Sequence, residues 1–302
     1  MPTAASAATA DTGSVVTTVG RSYRRAAVKA GGVWNSAISV AGVSAVSAGA
    51  DEVVQAYSVN KVPVAVAVLD KVDRGLLALD QRVDVTAAIV IPGGDGIFSL
   101  DGAYPSSVTL GHALAALLTV SDDTAVRLCG LVAPALEINE ILVGKGFPQT
   151  QVEPVANPNR FFLGATTPHE MHDLLNALAA GSLLSAGSTQ FLLNLLRSPI
   201  AYTDGIRRTM SSDERAGVAT KAGWFDDGRN EAGIYFDAAG SPVLTYALFA
   251  RGQAHPEDFG ATHPAVQARA TMGREFMDAV GGLSGAAPVA VRPAAFRPSN
   301  GG

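Results

Sequence analysis

Strand-like segments lie at both ends of this chain and helix-like segments fill its middle, and this arrangement limits the fold more than any single motif. GVWNSAISVAG and VVQAYSV, between residues 32 and 59, are β-branched and bounded by small residues. After residue 215, GVATKAGW, NEAGIYFDAAG and PVLTYALFARG read as three further strands, the last two a hairpin turning at Asp237–Gly240. Between these groups, LGHALAALLTV, DDTAVRLCGLVA and STQFLLNLLRS read as helices, as does TPHEMHDLLNALAAG with its Thr-Pro start and glycine stop. The run after Ser58 reads as a helix over 58–79, ending near Gly75. Another helix from about residue 22 precedes the first strand, and RATMGREFMDAV forms a last one. Residues 80–108 and 144–166 are rich in glycine, proline and polar residues and read as loops. The expected fold class is α/β (α+β): one antiparallel sheet built from both termini, flanked by helices, with an all-helical lobe inserted. Residues 22–56 and 201–283 would form the sheet lobe and 57–200 the helical lobe, with flexible segments at 1–21 and 284–302.

Composition removes several function classes. Apolar residues make up 48% of the 302 positions, enough for a large core. Charged residues are 16%, the net charge is −5 and no basic block appears, which argues against a nucleic-acid partner. No apolar run reaches the length of a membrane span. The N-terminus lacks the charged-then-apolar layout of a signal peptide, so the protein is expected in the cytoplasm unless a leader was removed to place it in the periplasm or outside. The single cysteine, Cys129, excludes an internal disulfide and reads as a small core hydrophobe. There is no G-x-S-x-G elbow, dinucleotide fingerprint or P-loop, so no cofactor is implied. Gly93-Gly94-Asp95-Gly96 reads as a turn. His169 and His172 lie three apart on a helix, but no third metal ligand is evident. The expected partner is a small-molecule substrate, and the expected state a monomer.

The chain has only five lysines, and Lys61 follows Ser58 by three residues at the head of an apolar helix. Residues i and i+3 share a helix face. The plain reading makes Ser58 a cap and Lys61 a solvated first-turn residue. The chemical reading makes Lys61 a desolvated base and Ser58 a nucleophile. Other segments could complete such a site: SDD at 121–123, EPVAN at 153–157, KAG at 221–223 and GRN at 228–230.

In that order and spacing, these motifs resemble the class A serine β-lactamases and their penicillin-binding relatives. LLALDQRV, LTVSDDTAVRL, the TTP before HEM, and RNEAGIYF are also similar, so the resemblance covers roughly residues 25–280. It implies Ser58 as the acylated nucleophile, Lys61 as its base and Ser121 as the proton donor to the leaving nitrogen. Glu153 matches the activator of the hydrolytic water and Asn157 the residue that helps hold it. Lys221 would attract the substrate carboxylate and Arg229 pair with it. The N–H groups of Ser58 and Trp224 would form the oxyanion hole, with Gly223 closing the K-x-G motif. Trp224 and Phe225 either line the groove or pack beneath the strand.

Two positions depart from the family pattern. Asp123 stands where asparagine is usual; an ionised carboxylate only accepts hydrogen bonds, repels a substrate carbonyl and holds positive charge on Lys61. Ala222 stands where threonine or serine would bond the substrate carboxylate. Both fall on substrate recognition. The expected activity is hydrolysis of β-lactams through an acyl-enzyme, with weak or unusual specificity. The alternatives are a hydrolase, acyltransferase or peptidase acting on another amide or ester, a penicillin-binding protein that does not turn over, and a non-catalytic binding module.

Overall fold

A computed structural model describes residues 11–100 and 102–283. The chain begins with α1 (Thr12–Ala30), β1 (Val33–Val40), β2 (Val43–Ala48) and the short β3 (Val54–Gln55). A 3₁₀ turn at Tyr57–Asn60 leads into α2 (Lys61–Asp73). There follow β4 (Arg82–Val85), β5 (Ser106–Thr109), α3 (Leu110–Thr119), α4 (Asp123–Val132) and α5 (Ala135–Gly144). Next come β6 (Gln151–Pro154), β7 (Phe161–Thr166), α6 (Pro168–Ala179), α7 (Ala186–Leu196) and the one-turn α8 (Ser212–Ala216). The strands β8 (Val218–Phe225), β9 (Gly228–Phe236) and β10 (Pro242–Arg251) lead to α9 (Pro264–Gly281).

The main sheet has the order β2-β1-β10-β9-β8 and is antiparallel throughout, so its strands do come from both ends of the chain. All nine residues of β9 are buried because the sheet is covered on both faces. On one face, α1 and α9 supply Val19, Met272 and Phe276 against Ile38, Tyr235 and Tyr246. On the other lies the larger core, centred on α2. Val62 to Leu69 of that helix are all buried, and a helix apolar on every side belongs inside a lobe.

Several expectations change here. The first helix starts at Thr12, not near residue 22, so the part of 1–21 that is described is helical, with Val15 and Val19 in the core. Residues 1–10 and 284–302, where flexible segments were expected, lie outside the described residues. The lobe between the strands is helical at its core but carries two small ribbons, their strands drawn from segments read as loops except β3, which was expected in the main sheet and instead pairs with β7. One pairs β4 with β5; the other has the order β3-β7-β6. Residues 135–144, unassigned from sequence, form α5. Helix starts follow their side-chain caps: Thr109, Thr167 and Ser185 accept from His112, Glu170 and Ser188 N–H groups. Among the described residues, no helix is long and apolar enough to cross a membrane.

Candidate active site

Ser58 lies in the 3₁₀ turn and Lys61 is the first residue of α2. In a 3₁₀ turn residues i and i+3 eclipse, so the two side chains leave from one side. Tyr57, just before Ser58, is held at φ 50°, in the left-handed region. Ser58 is half-buried, and its side chain has no hydrogen-bond partner among the described residues. It opens into a cleft of about 1020 Å³ between the two lobes, which Asp123, Glu153 and Trp224 also line.

Beneath that lining is a buried polar chain. Lys61 is fully buried. Its Nζ donates to Ser121 O at 2.5 Å, Ser121 Oγ at 3.1 Å and Asp123 Oδ1 at 2.8 Å. Three donors meet three acceptors. Lys221 Nζ, also buried, donates to the same Ser121 Oγ at 3.1 Å and to Ala222 O at 2.7 Å. With both lysines donating to it, the Ser121 hydroxyl directs its own proton elsewhere. Ser121 is held at φ 56°, a second left-handed residue in the site.

Burial pushes the Lys61 pKa down, and the neighbouring Asp123 carboxylate opposes that shift. Burial, then the charge of Lys61, push Lys221 down as well. Asp95, in the turn opposite, is raised by burial and by Asp123. The adjacent aspartates have different roles. Asp122 is buried and accepts from Ile97, Phe98 and Ala125 N–H at 2.6, 2.9 and 2.8 Å. It ties the 94–98 turn to the start of α4. Asp123 is held by Lys61 and by the Asp95 N–H at 3.1 Å. The glycine-rich turn thus packs on the SDD motif, and a Cβ on Gly96 would collide with the Asp122 backbone and carboxylate.

The KAG segment lies on β8, an edge strand that runs beside the 57–60 turn. A Cβ on Gly223 would lie 2.6 Å from Ser58 N and 2.7 Å from Val59 N, so only glycine permits that approach. Ala222 is buried and offers no hydroxyl. Trp224 lines the cleft and rests on Tyr202, ring centres 5.5 Å apart, so it both lines the groove and packs. Phe225 lines the cleft, largely exposed, 6.0 Å from the Tyr57 ring.

Two residues, Arg229 and Asn157, are engaged differently from what the motif resemblance implies. Arg229 is buried, and its guanidinium donates to the carbonyls of Asp226, Gly228, Pro256 and Asp258 at 2.6–2.9 Å while lying over Phe259. Its polar donors hold loops. Glu153 reaches the cleft from β6, but no hydrogen bond joins it to Asn157 among the described residues. The Asn157 side chain instead accepts from Asn159 N–H at 3.0 Å. His169 and His172 also face apart: His169 meets Asp51 at 2.9 Å and His172 meets Ser39 at 2.8 Å, clasping α6 to β1. Cys129 is buried in the core, its thiol pushed up to about 12 by burial.

Two asparagines that the motif resemblance does not single out position the Glu153 strand. Asn139 on α5 bonds Val152 in both directions, donating to its carbonyl and accepting from its N–H, each at 2.9 Å. Asn60 donates to Leu163 O at 2.7 Å and Ala165 O at 3.0 Å, joining the Ser58 turn to β7. Asn60 stands between Ser58 and Lys61 in the sequence, and because it is buried its amide needs partners.

A profile of the beta-lactamase enzyme family matches residues 21–280. The chain belongs to that family. Among solved structures it is similar to a beta-lactamase from Sphaerobacter thermophilus, with 23% identity and TM-score 0.73 over 87% of this chain and 97% of that one. A beta-lactamase from Chitinophaga pinensis aligns with 22% identity and TM-score 0.74 over 87% and 99%. PBP-A aligns with 19% identity and TM-score 0.69 over 86% and 97%. These likenesses establish the β-lactamase and penicillin-binding fold. A search of curated proteins finds no match.

Proposed function

We propose that this protein is a serine hydrolase that opens β-lactam rings or a related cyclic amide through an acyl-enzyme on Ser58. The observation that carries this reading is the buried Lys61–Ser121–Lys221 chain beneath a serine whose own hydroxyl is unengaged. Acyl transfer needs a nucleophile, a proton acceptor, a proton donor and N–H groups aimed at the oxyanion. Ser58 is the nucleophile. Lys61, depressed by burial, accepts its proton in the fraction of molecules where it is neutral. Ser121 passes a proton to the departing nitrogen and recovers one from the lysines. The N–H groups of Ser58 and Trp224, brought together by the bare Gly223, stabilise the oxyanion. Lys221 supplies the charge that draws an anionic substrate. Glu153 activates the water that clears the acyl group. Asp123 and Ala222 redirect recognition of the substrate's amide and carboxylate.

A second reading, a penicillin-binding protein that releases its acyl group slowly, is favoured by one observation. The Asn157 side chain accepts from Asn159 N–H, with no hydrogen bond to Glu153 among the described residues. The PBP-A fold is among the similar structures. One experiment separates the two. The protein is mixed with a chromogenic cephalosporin, absorbance is followed and intact mass is taken, with Ser58→Ala as control. Turnover that is lost in the variant supports the hydrolase. A lasting adduct without turnover supports the slow acceptor. Neither adduct nor turnover, also with simple aryl esters, rejects Ser58 acylation.

A further inference from the structure

The cleft carries a second cationic group that the acyl-transfer scheme leaves unused. Arg127 on α4 and Arg160 in the connection between β6 and β7 both line it. Arg160 Nη2 donates to Ala88 O at 3.0 Å. Arg127 Nη1 donates to Ile89 O at 3.0 Å and to Val90 O at 3.4 Å. Two guanidiniums therefore sit side by side over three consecutive carbonyls. Those carbonyls orient the arginines but leave their charge unmatched.

Neither arginine forms an ion pair among the described residues. Arg160 Nη1 is buried without an acceptor. Burial and the charge of Arg127 both push the Arg160 pKa down, as expected of like charges with no counter-ion. The carboxylates that line the same cleft are Asp95, Asp123 and Glu153. Asp123 is held by Lys61, Asp95 interacts chiefly with Asp123 and the two lysines, and Glu153 bonds neither arginine. Pinning the 88–90 carbonyls would need a donor, not two adjacent full charges. Arginine pairs of this kind match the geometry of a carboxylate.

We propose that Arg127 and Arg160 form an anion subsite on the helical-lobe wall of the cleft, across from β8. It takes a carboxylate carried on the acyl part of the substrate. The preferred substrate then bears two negative charges, one drawn by Lys221 and one by the arginine pair, flanking the bond that Ser58 opens. This placement rests on Ser58 being the acylated residue.

The test uses the full chain carrying Ser58→Ala, so that binding is read without acylation. It is titrated by calorimetry with benzylpenicillin and with its α-carboxy analogue, which differ by one carboxylate. The expected result is about 5–20-fold tighter binding of the carboxy analogue, the range for a charged hydrogen bond at a partly exposed site. That preference should shrink to within about twofold in Arg160→Gln and in Arg127→Gln, and partly survive in Arg160→Lys. Circular dichroism checks that each variant is folded. If Arg127→Gln fails to fold, Arg160→Gln and Arg160→Lys decide alone. Equal binding of both penicillins, or a preference that survives both glutamine variants, overturns the subsite. If neither penicillin binds, phenylphosphonate is the probe: binding lost in Arg160→Gln supports the subsite, and no binding or unchanged binding overturns it. Turnover of the unmodified protein is measured separately. Its absence beside a retained carboxylate preference rejects the hydrolase reading and leaves the subsite standing.

Discussion

Asp123→Asn is the most informative single change, because it removes one charge and keeps one shape. Asp123 Oδ1 lies 2.8 Å from the Lys61 ammonium, and Oδ2 accepts from Asp95 N–H at 3.1 Å. At 2.8 Å, with an effective dielectric of about 20, the bare attraction is about 6 kcal/mol. The Asp123 side chain is 35% exposed, so solvent screening cuts this to about 1.5–3 kcal/mol. At 1.36 kcal/mol per unit, that corresponds to roughly 1–2 pH units. The sign follows from the present balance. Burial lowers the Lys61 pKa and Asp123 opposes the drop; without the carboxylate the pKa falls further. Lys61 can take the Ser58 proton only when neutral, so the acid limb of the acylation profile moves to lower pH by that amount, and acylation at neutral pH rises. An amide kept with its oxygen on Lys61 turns its nitrogen toward the Asp95 N–H, which costs about 1 kcal/mol of stability. The assay is the second-order rate of Ser58 acylation by a chromogenic cephalosporin from pH 5 to 10, with thermal melts alongside. An acid limb that stays in place or moves to higher pH would refute Lys61 as the base whose charge Asp123 controls.

Three further outcomes follow from the same geometry. Gly223→Ala puts a Cβ 2.6 Å from Ser58 N, so β8 must retreat from the oxyanion; acylation followed by mass should slow by about 100-fold or more. Asn139→Ala frees Val152 from both of its bonds and should cost about 1–3 kcal/mol in chemical denaturation, and should slow deacylation more than acylation. Arg229→Gln strips the carbonyls of Asp226, Gly228, Pro256 and Asp258 and should lower stability by about 2–4 kcal/mol. The ratio of KM for a carboxylated substrate and its methyl ester should stay within about twofold in that variant, whereas an arginine that bound substrate would change it tenfold or more.

How much of the fold and site was legible in the sequence depended on how local each constraint is. Ser58 and Lys61 leave from one side of a turn through a fixed offset, and Lys61 meets Ser121 and Asp123, which share an offset at a helix start. Short spacings become geometry directly, and Lys61, Ser121 and Asp123 converge beneath the cleft that Ser58 lines. The turn residues at Asp237–Gly240 marked the hairpin of β9 and β10 for the same reason. Arg229 was less legible. A strand residue faces one side or the other according to register, and the pairing of Arg229 with Trp224 is set by the hairpin between them. The ribbon of β6 and β7 was hidden by its prolines. Its pairing depends on Val54 and Gln55, about a hundred residues earlier, and on the amides of Asn60 and Asn139. The start of α1 was hidden because its small, polar residues have little intrinsic drive to form a helix. Packing against α9 supplies what propensity does not.

The two aspartates of the SDD motif explain why one substitution can alter recognition without dismantling the site. Asp122 is the structural one of the two. Buried, it takes three backbone N–H groups and caps α4. That fixes where α4 begins, and so where the next side chain points. Asp123, first in the helix, inherits a position facing Lys61 whatever its chemistry. Asparagine there would offer the same acceptor to the lysine; aspartate adds a charge. Ala222 behaves alike. The backbone of β8 is set by its register with β9 and by the bare Gly223, neither of which needs a hydroxyl at 222. On the proposed function, positions 123 and 222 can therefore change recognition while the backbone around Ser58, Lys61 and Ser121 is held by other residues. The unmatched arginines on the opposite wall lie outside that frame too, so the proposed anion subsite would add a substrate requirement without touching the residues proposed for the chemistry.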